Sequence, residues 1–202
     1  MKQKNSGRTA IRIISLLIFI ILIIISISEH QTKELYKEHI SMIINDSLHN
    51  MVSAFQENEN MYDTVLRSGK ITLDQARVLA MNNELIQRTI QENADVAVKL
   101  KYKKEGFQYN QSSLNAQKIA LLFSEINESS IDSEEKLAIE KIRELNKKWI
   151  SSSLPENGTD YSLSNSHWIE LIDRIEKSTL IYLQENNITN VEEIWIERTQ
   201  IN

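Results

Sequence analysis

Residues 13–27, IISLLIFIILIIISI, form an apolar run of 15 residues interrupted only by Ser15 and Ser26. A helix built from them has no polar face, so it must be covered by protein or by lipid. At about 1.5 Å per residue the run covers roughly 23 Å, short of the ~30 Å hydrocarbon thickness of a bilayer. Ala10, Ile11 and a snorkelling Arg12 lengthen it to a marginal span. Lys2, Lys4, Arg8 and Arg12 precede or flank the run without a single acid among them. Such a basic flank stays cytoplasmic, which places the amino terminus inside and the remainder outside.

Two readings of this segment stay open. As a signal anchor it remains in the bilayer as residues 10–28, with 1–9 a short basic cytoplasmic tail and 29–202 an extracytoplasmic domain. As a signal peptide it has a basic n-region, an apolar h-region and a small-x-small site at Ser26-Ile27-Ser28, and cleavage following Ser28 would leave a secreted protein. No Gly or Pro separates the run from Glu29 and its successors, and helical spacing continues through Glu34 and Leu35, which favours the anchor. In either case the body of the chain acts outside the cytoplasm.

From Glu29 onward lie 19 basic residues and all 28 acids, so this part carries a charge of −9. An acidic exported domain is a poor nucleic-acid partner, since nucleic-acid binding requires an organised basic surface. Only four Gly and one Pro interrupt the chain, and three of the Gly and the Pro fall between periodic stretches. That distribution implies an all-α fold of long helices. Without Cys, disulfides, thiolate nucleophiles and Cys-ligated metals are excluded.

Leu35, Ile40, Ile43, Ile44, Leu48, Met51, Val52, Phe55, Tyr62, Val65 and Leu66 recur in steps of three and four, describing one long amphipathic helix. Gly69 suits its left-handed terminating position. Thr72 with Gln75 is a capping box that opens a second helix, expected to run to Gly106. The short connection makes a long antiparallel hairpin over 29–105, and helices are expected at 113–127, 133–150, 164–186 and 190–199. Asp132 with Glu135 caps the second of these, while 151–162, holding Pro155 and Asn157-Gly158, reads as the clearest loop.

Lys99, Lys101, Tyr102, Lys103, Lys104, Phe107 and Tyr109 form the most unusual surface stretch. They suit either a helix end, where lysines complement the dipole and aromatics close the core, or contact with lipid phosphates at a membrane surface. Ser133-x-x-Lys136 matches the nucleophile motif of penicillin-binding proteins but lacks the S-D-N and K-T-G companions, so it reads as a helix start. Asp46 and His49 share a helix face, yet no second such pair or H-E-x-x-H accompanies them, and no metal or cofactor is expected. Trp149, Trp168 and Trp195 read as core anchors.

The outline resembles the extracytoplasmic bundles of bacterial chemoreceptors in a membrane helix running into a long helix and in its antiparallel return. It departs from them in having no second membrane segment and no cytoplasmic signalling region. Two functions are expected to compete: a membrane-anchored scaffold or regulator without enzymatic activity, binding a protein partner or itself through the hairpin, and a small-ligand sensor or carrier. Polar groups lining a cavity would favour the second, and a sealed core with an exposed apolar strip the first.

Overall fold

The computed structural model describes residues 4–126, 129–154 and 160–196. In chain order these form α1 (Lys4–Ser68), β1 (Lys70–Ile71), α2 (Leu73–Lys99), α3 (Gln111–Ser124), β2 (Ser129–Ser130), α4 (Ser133–Ser153), α5 (His167–Glu185) and α6 (Glu192–Ile196). The fold is all-α apart from the two short strands. Pro155, Asn157-Gly158 and the expected end of the last helix at 199 lie outside the described residues.

A single helix of 65 residues, α1 is roughly 97 Å long and passes through Ser26 to Glu29 without a break. Its apolar run is long and apolar enough to cross a membrane and is wholly uncovered by the rest of the chain, as befits an anchor or a signal sequence. Gly69 ends the helix at φ +64, with its N–H on Val65 O at 3.0 Å. Lys70 and Ile71 then pair antiparallel with Ser130 and Ser129, a ribbon at the tip that helical periodicity did not signal.

The caps lie where the side chains demand them. Thr72 Oγ1 accepts from Gln75 N–H at 3.2 Å while Gln75 Oε1 accepts from Thr72 N–H at 2.9 Å. Asp132 and Glu135 do the same for α4, at 2.8 and 2.9 Å. Several boundaries differ from expectation, with α4 running on to Ser153 past 150 and α6 opening at Glu192 rather than 190. Asn110 Oδ1 accepts from Ser113 N–H at 2.7 Å, so α3 opens at Gln111 rather than 113, and it closes at Ser124. Asn165 folds back to donate to Asp160 O at 3.1 Å and accepts from His167 N–H, which delays α5 to His167. α2 stops at Lys99, six residues before 105, because Lys101 turns left-handed and ends the helix.

Helices α1, α2, α3, α5 and α4 pack in that order into a closed bundle, with α6 against α3 and α4. Ile44, Leu48, Met51, Phe55, Tyr62 and Val65 of α1 are buried, as are Leu79, Ile86 and Ile90 of α2 and Ile142, Leu145 and Trp149 of α4. Trp168, Leu171, Ile172 and Ile175 of α5 complete the centre, so Trp149 and Trp168 are core anchors. The lower part of the α1 stripe departs from expectation: Leu35 lies below the base and, like Ile43, points away from the face of α1 that carries Ile44 into the bundle, so both are exposed. Paired arms therefore run from about Ser41 upward and not over 29–105.

Arg143 binds α4 to α1, its Nε donating to Glu59 Oε1 at 2.8 Å and a terminal nitrogen lying 3.1 Å from Asp63 Oδ1. The two carboxylates hold its guanidinium more firmly protonated than usual, against the opposing effect of desolvation. Burial raises the phenols of Tyr62 and Tyr182 well above their ordinary value. A group whose folded pKa is raised this way holds more protons folded than unfolded at alkaline pH, so stability is complete below about pH 10 and falls above it. Urea unfolding at pH 9 and pH 11 is expected to show that loss, and Tyr62→Phe to reduce it by about 1 kcal/mol. Equal pH sensitivity of the variant and the parent would assign the loss to other groups.

Candidate interface at the base of the bundle

The level of each element along α1 is marked by side-chain bonds. Asn82 Nδ2 donates to Asn58 Oδ1 at 3.1 Å, Asn93 Nδ2 to Ser47 Oγ at 3.3 Å, and Leu163 N–H to Ser41 Oγ at 3.0 Å. The base of the bundle thus lies beside Ser41. Thirteen residues separate Ser41 from Ser28, roughly 20 Å of helix. Every residue from 29 to 39 in that interval is exposed. It forms a neck, one bare helix between the apolar run and the bundle.

At the base, α2 terminates in a Schellman motif. Tyr102 N–H bonds Ala97 O and Lys101 N–H bonds Val98 O, both at 2.9 Å, with Lys101 at φ +62. This position ordinarily takes Gly, and a side chain there costs about 1 kcal/mol. Contacts made by the next residues offset the strain. Tyr102 sets its ring edge-on to Trp168, centroids 6.1 Å apart, and its hydroxyl donates to Leu163 O at 3.3 Å. Lys103 pairs with Asp173 of α5, its Nζ 4.9 Å from the centre of the Phe107 ring.

The seven residues singled out in sequence therefore separate into two groups. Tyr102, Lys103 and the half-buried Phe107 are drawn together as an internal brace against α5. Lys99, Lys101, Lys104 and Tyr109 face outward, Tyr109 at 79% exposure.

Glu176 extends the brace, accepting from the N–H groups of Gln111 and Ser112 and from Ser112 Oγ, each at 2.9 Å. A carboxylate at the first turn of α3 satisfies orphan donors and opposes the positive helix end. Asp173 and Glu176 are parts of the base that sequence reasoning missed. Their partners lie about 65 to 70 residues away, and on α5 they read as an ordinary helix face.

The neck has two distinct sides. At about 100° per residue, Lys33 and Lys37 fall on the side that carries Ile44, Leu48 and Phe55 into the bundle. Leu35 and Met42 fall on the other, at 67% and 56% exposure, with Tyr36 and Ile43 along one flank at 64% and 54%. One turn higher that outer side becomes Asp46, His49, Asn50 and Ser53, all exposed or at the bundle's margin. His49 stacks on Tyr161 with centroids 5.4 Å apart, and burial raises the Tyr161 phenol despite nearby Arg174.

Within the bundle many of the buried polar groups bond their neighbours. Trp149 Nε1 donates to Thr179 Oγ1 at 2.8 Å, Asn146 Nδ2 to Phe55 O at 3.0 Å, and Val191 N–H to Asn115 Oδ1 at 2.8 Å. A groove of about 610 Å³ between α2 and α3 opens outward beside Met81, Leu85, Arg88 and Leu121. Ser133 and Lys136 lie on the first turn of α4 and engage no partner residue suited to catalysis among the described residues.

Comparison with protein-family models, curated proteins and solved structures returns no match, so the functional reading rests on this geometry.

Lys101→Gly is expected to raise thermal and urea midpoints, stabilising the domain by about 1 kcal/mol by relieving the left-handed side chain. A destabilised Lys101→Gly chain would show that the lysine side chain holds the base together.

Proposed function

We propose that this chain is a single-pass membrane protein with its amino terminus in the cytoplasm, whose extracytoplasmic helical domain acts non-enzymatically by binding protein, as scaffold or regulator. The observation that carries this reading is the continuity of α1 through residues 26–30, with no loop at which a mature domain would naturally begin. The exposed apolar strip at Leu35 to Ile43 supports a partner surface. A ligand sensor or carrier has less support, because Trp149, Asn146 and Asn115 bond across helices and the groove between α2 and α3 opens outward.

Alkaline carbonate extraction of membranes from cells expressing the full chain with a carboxyl-terminal tag tests the anchor. Retention in the pellet at full-length mass is expected, with the tag digested by protease added to the extracytoplasmic side. Release of a fragment beginning at Glu29 would replace the anchor with a secreted protein.

A second reading, lipid contact by the base, is favoured by the outward Lys99, Lys101, Lys104 and Tyr109 at the end of the bundle nearer the apolar run. With α1 upright the ~20 Å neck holds these lysines beyond a Debye length from the phosphates, so contact requires the helix to lean. At about 1 kcal/mol per lysine near an anionic surface, changing Lys99, Lys101 and Lys104 to Gln is expected to weaken binding of the 29–202 fragment to phosphatidylserine vesicles at least tenfold. Undiminished binding would remove this reading.

A further inference from the structure

We propose that the neck is a self-association element: two copies in one membrane pair in parallel along Leu35, His39 and Met42, flanked by Tyr36 and Ile43. This rests on the anchored reading above. The strip is on the side of α1 turned away from the bundle, so two necks can touch while both bundles point outward. Leu35 and Met42 stand seven apart in one apolar row, beside a polar row of Thr32 and His39 with the same spacing, as along a left-handed helical pair with polar members in its seam. Downward the rows meet Ser28, Ile21 and Ile14 and Ile25 and Ile18, in a run apolar on every side that accepts this register.

Charge placement agrees with this arrangement. Lys33, Glu34 and Lys37 turn away from the seam, Glu38 flanks it on the side opposite Tyr36 and Ile43, and Asp46 and His49 end it above. With α1 upright, Leu35 stands about 10 Å and Ile43 about 22 Å beyond Ser28, above the hydrocarbon, so lipid does not cover the strip.

The occupant follows from area and orientation. Two to three helical turns bury only a few hundred Å² per copy, below the ~800 Å² per partner of a standard stable interface. A soluble partner would gain too little from this surface. A second copy is held at the same height and in the same direction by its own anchor, which raises effective concentration and extends the seam.

The absence of Cys permits a direct test with the full chain in native membranes. Single substitutions Leu35→Cys, Met42→Cys and, on the opposite side, Lys37→Cys are oxidised mildly and resolved without reductant. Covalent dimers at 35 and 42 are expected at ten times or more the yield at 37, and adding Met42→Glu to the Leu35→Cys chain is expected to abolish them. Both positions are exposed, and helicity of the detergent-purified variants checks that the bundle is intact. The fragment from Glu29 is expected to sediment as a monomer. Equal yields around the helix, or none, overturn the proposal, as does a stable dimer of the fragment, which would place pairing on the bundle. Carbonate extraction of the same samples separates the failures: an integral chain without position-specific dimers sinks self-association alone, whereas an extractable chain sinks the anchor with it.

Discussion

One helix joins two unlike halves, and the rest of the fold is arranged around the upper one. The lower part of α1 is apolar on every side and is covered by nothing in the chain, whereas the upper part is apolar on one side only. The transition occurs without a break in the helix, so the direction in which the apolar run exits sets where Ile44, Leu48, Met51 and Phe55 point. Helices α2, α4 and α5 assemble on that face, and Arg143 with Glu59 and Asp63 fastens the outside of the α1–α4 contact. Burial of the large side chains supplies the gain, and the polar bonds determine which helix meets which.

At the base, Lys103 and one edge of the half-exposed Tyr102 are drawn against α5 and the segment leading into it, while Lys99, Lys101, Lys104 and Tyr109 stay at the surface; Glu176 closes the exposed amides of α3 from the same helix. The acids of α5 thus position the α2–α3 connection, and the outward lysines sit on a platform held from below by side chains that carry no sign of that role in their local sequence.

Much of the fold was legible in the sequence for local reasons. Thr72 with Gln75 and Asp132 with Glu135 name their own helix starts, because cap and partner are three residues apart. Gly69 names a stop because glycine adopts the left-handed conformation without cost. Lys101 does not, and the end of α2 was unreadable because a tertiary contact imposes on a lysine the conformation expected of a glycine. Leu35 and Ile43 are apolar like the stripe above them, but they stand off the face that carries Ile44 and Leu48 inward, and the sequence does not say which of two apolar sides the bundle takes. The pairings of Asp173 and Glu176 were hidden because they join residues far apart in the chain, and the strands at the tip because two residues carry no periodicity.

The neck also fixes an angle. Each residue of helix turns the structure above it by about 100° and raises it by about 1.5 Å, and residues 29–39 contain no Gly or Pro at which that rotation is lost. Azimuth and height of the bundle are therefore set together by residue count. Lengthening the neck by one residue would swing the lysine platform more than a quarter turn while lifting it hardly at all. Seven more would return it nearly to its original bearing about 10 Å higher. The segment acts as a vernier, in which orientation is far more sensitive to length than elevation is.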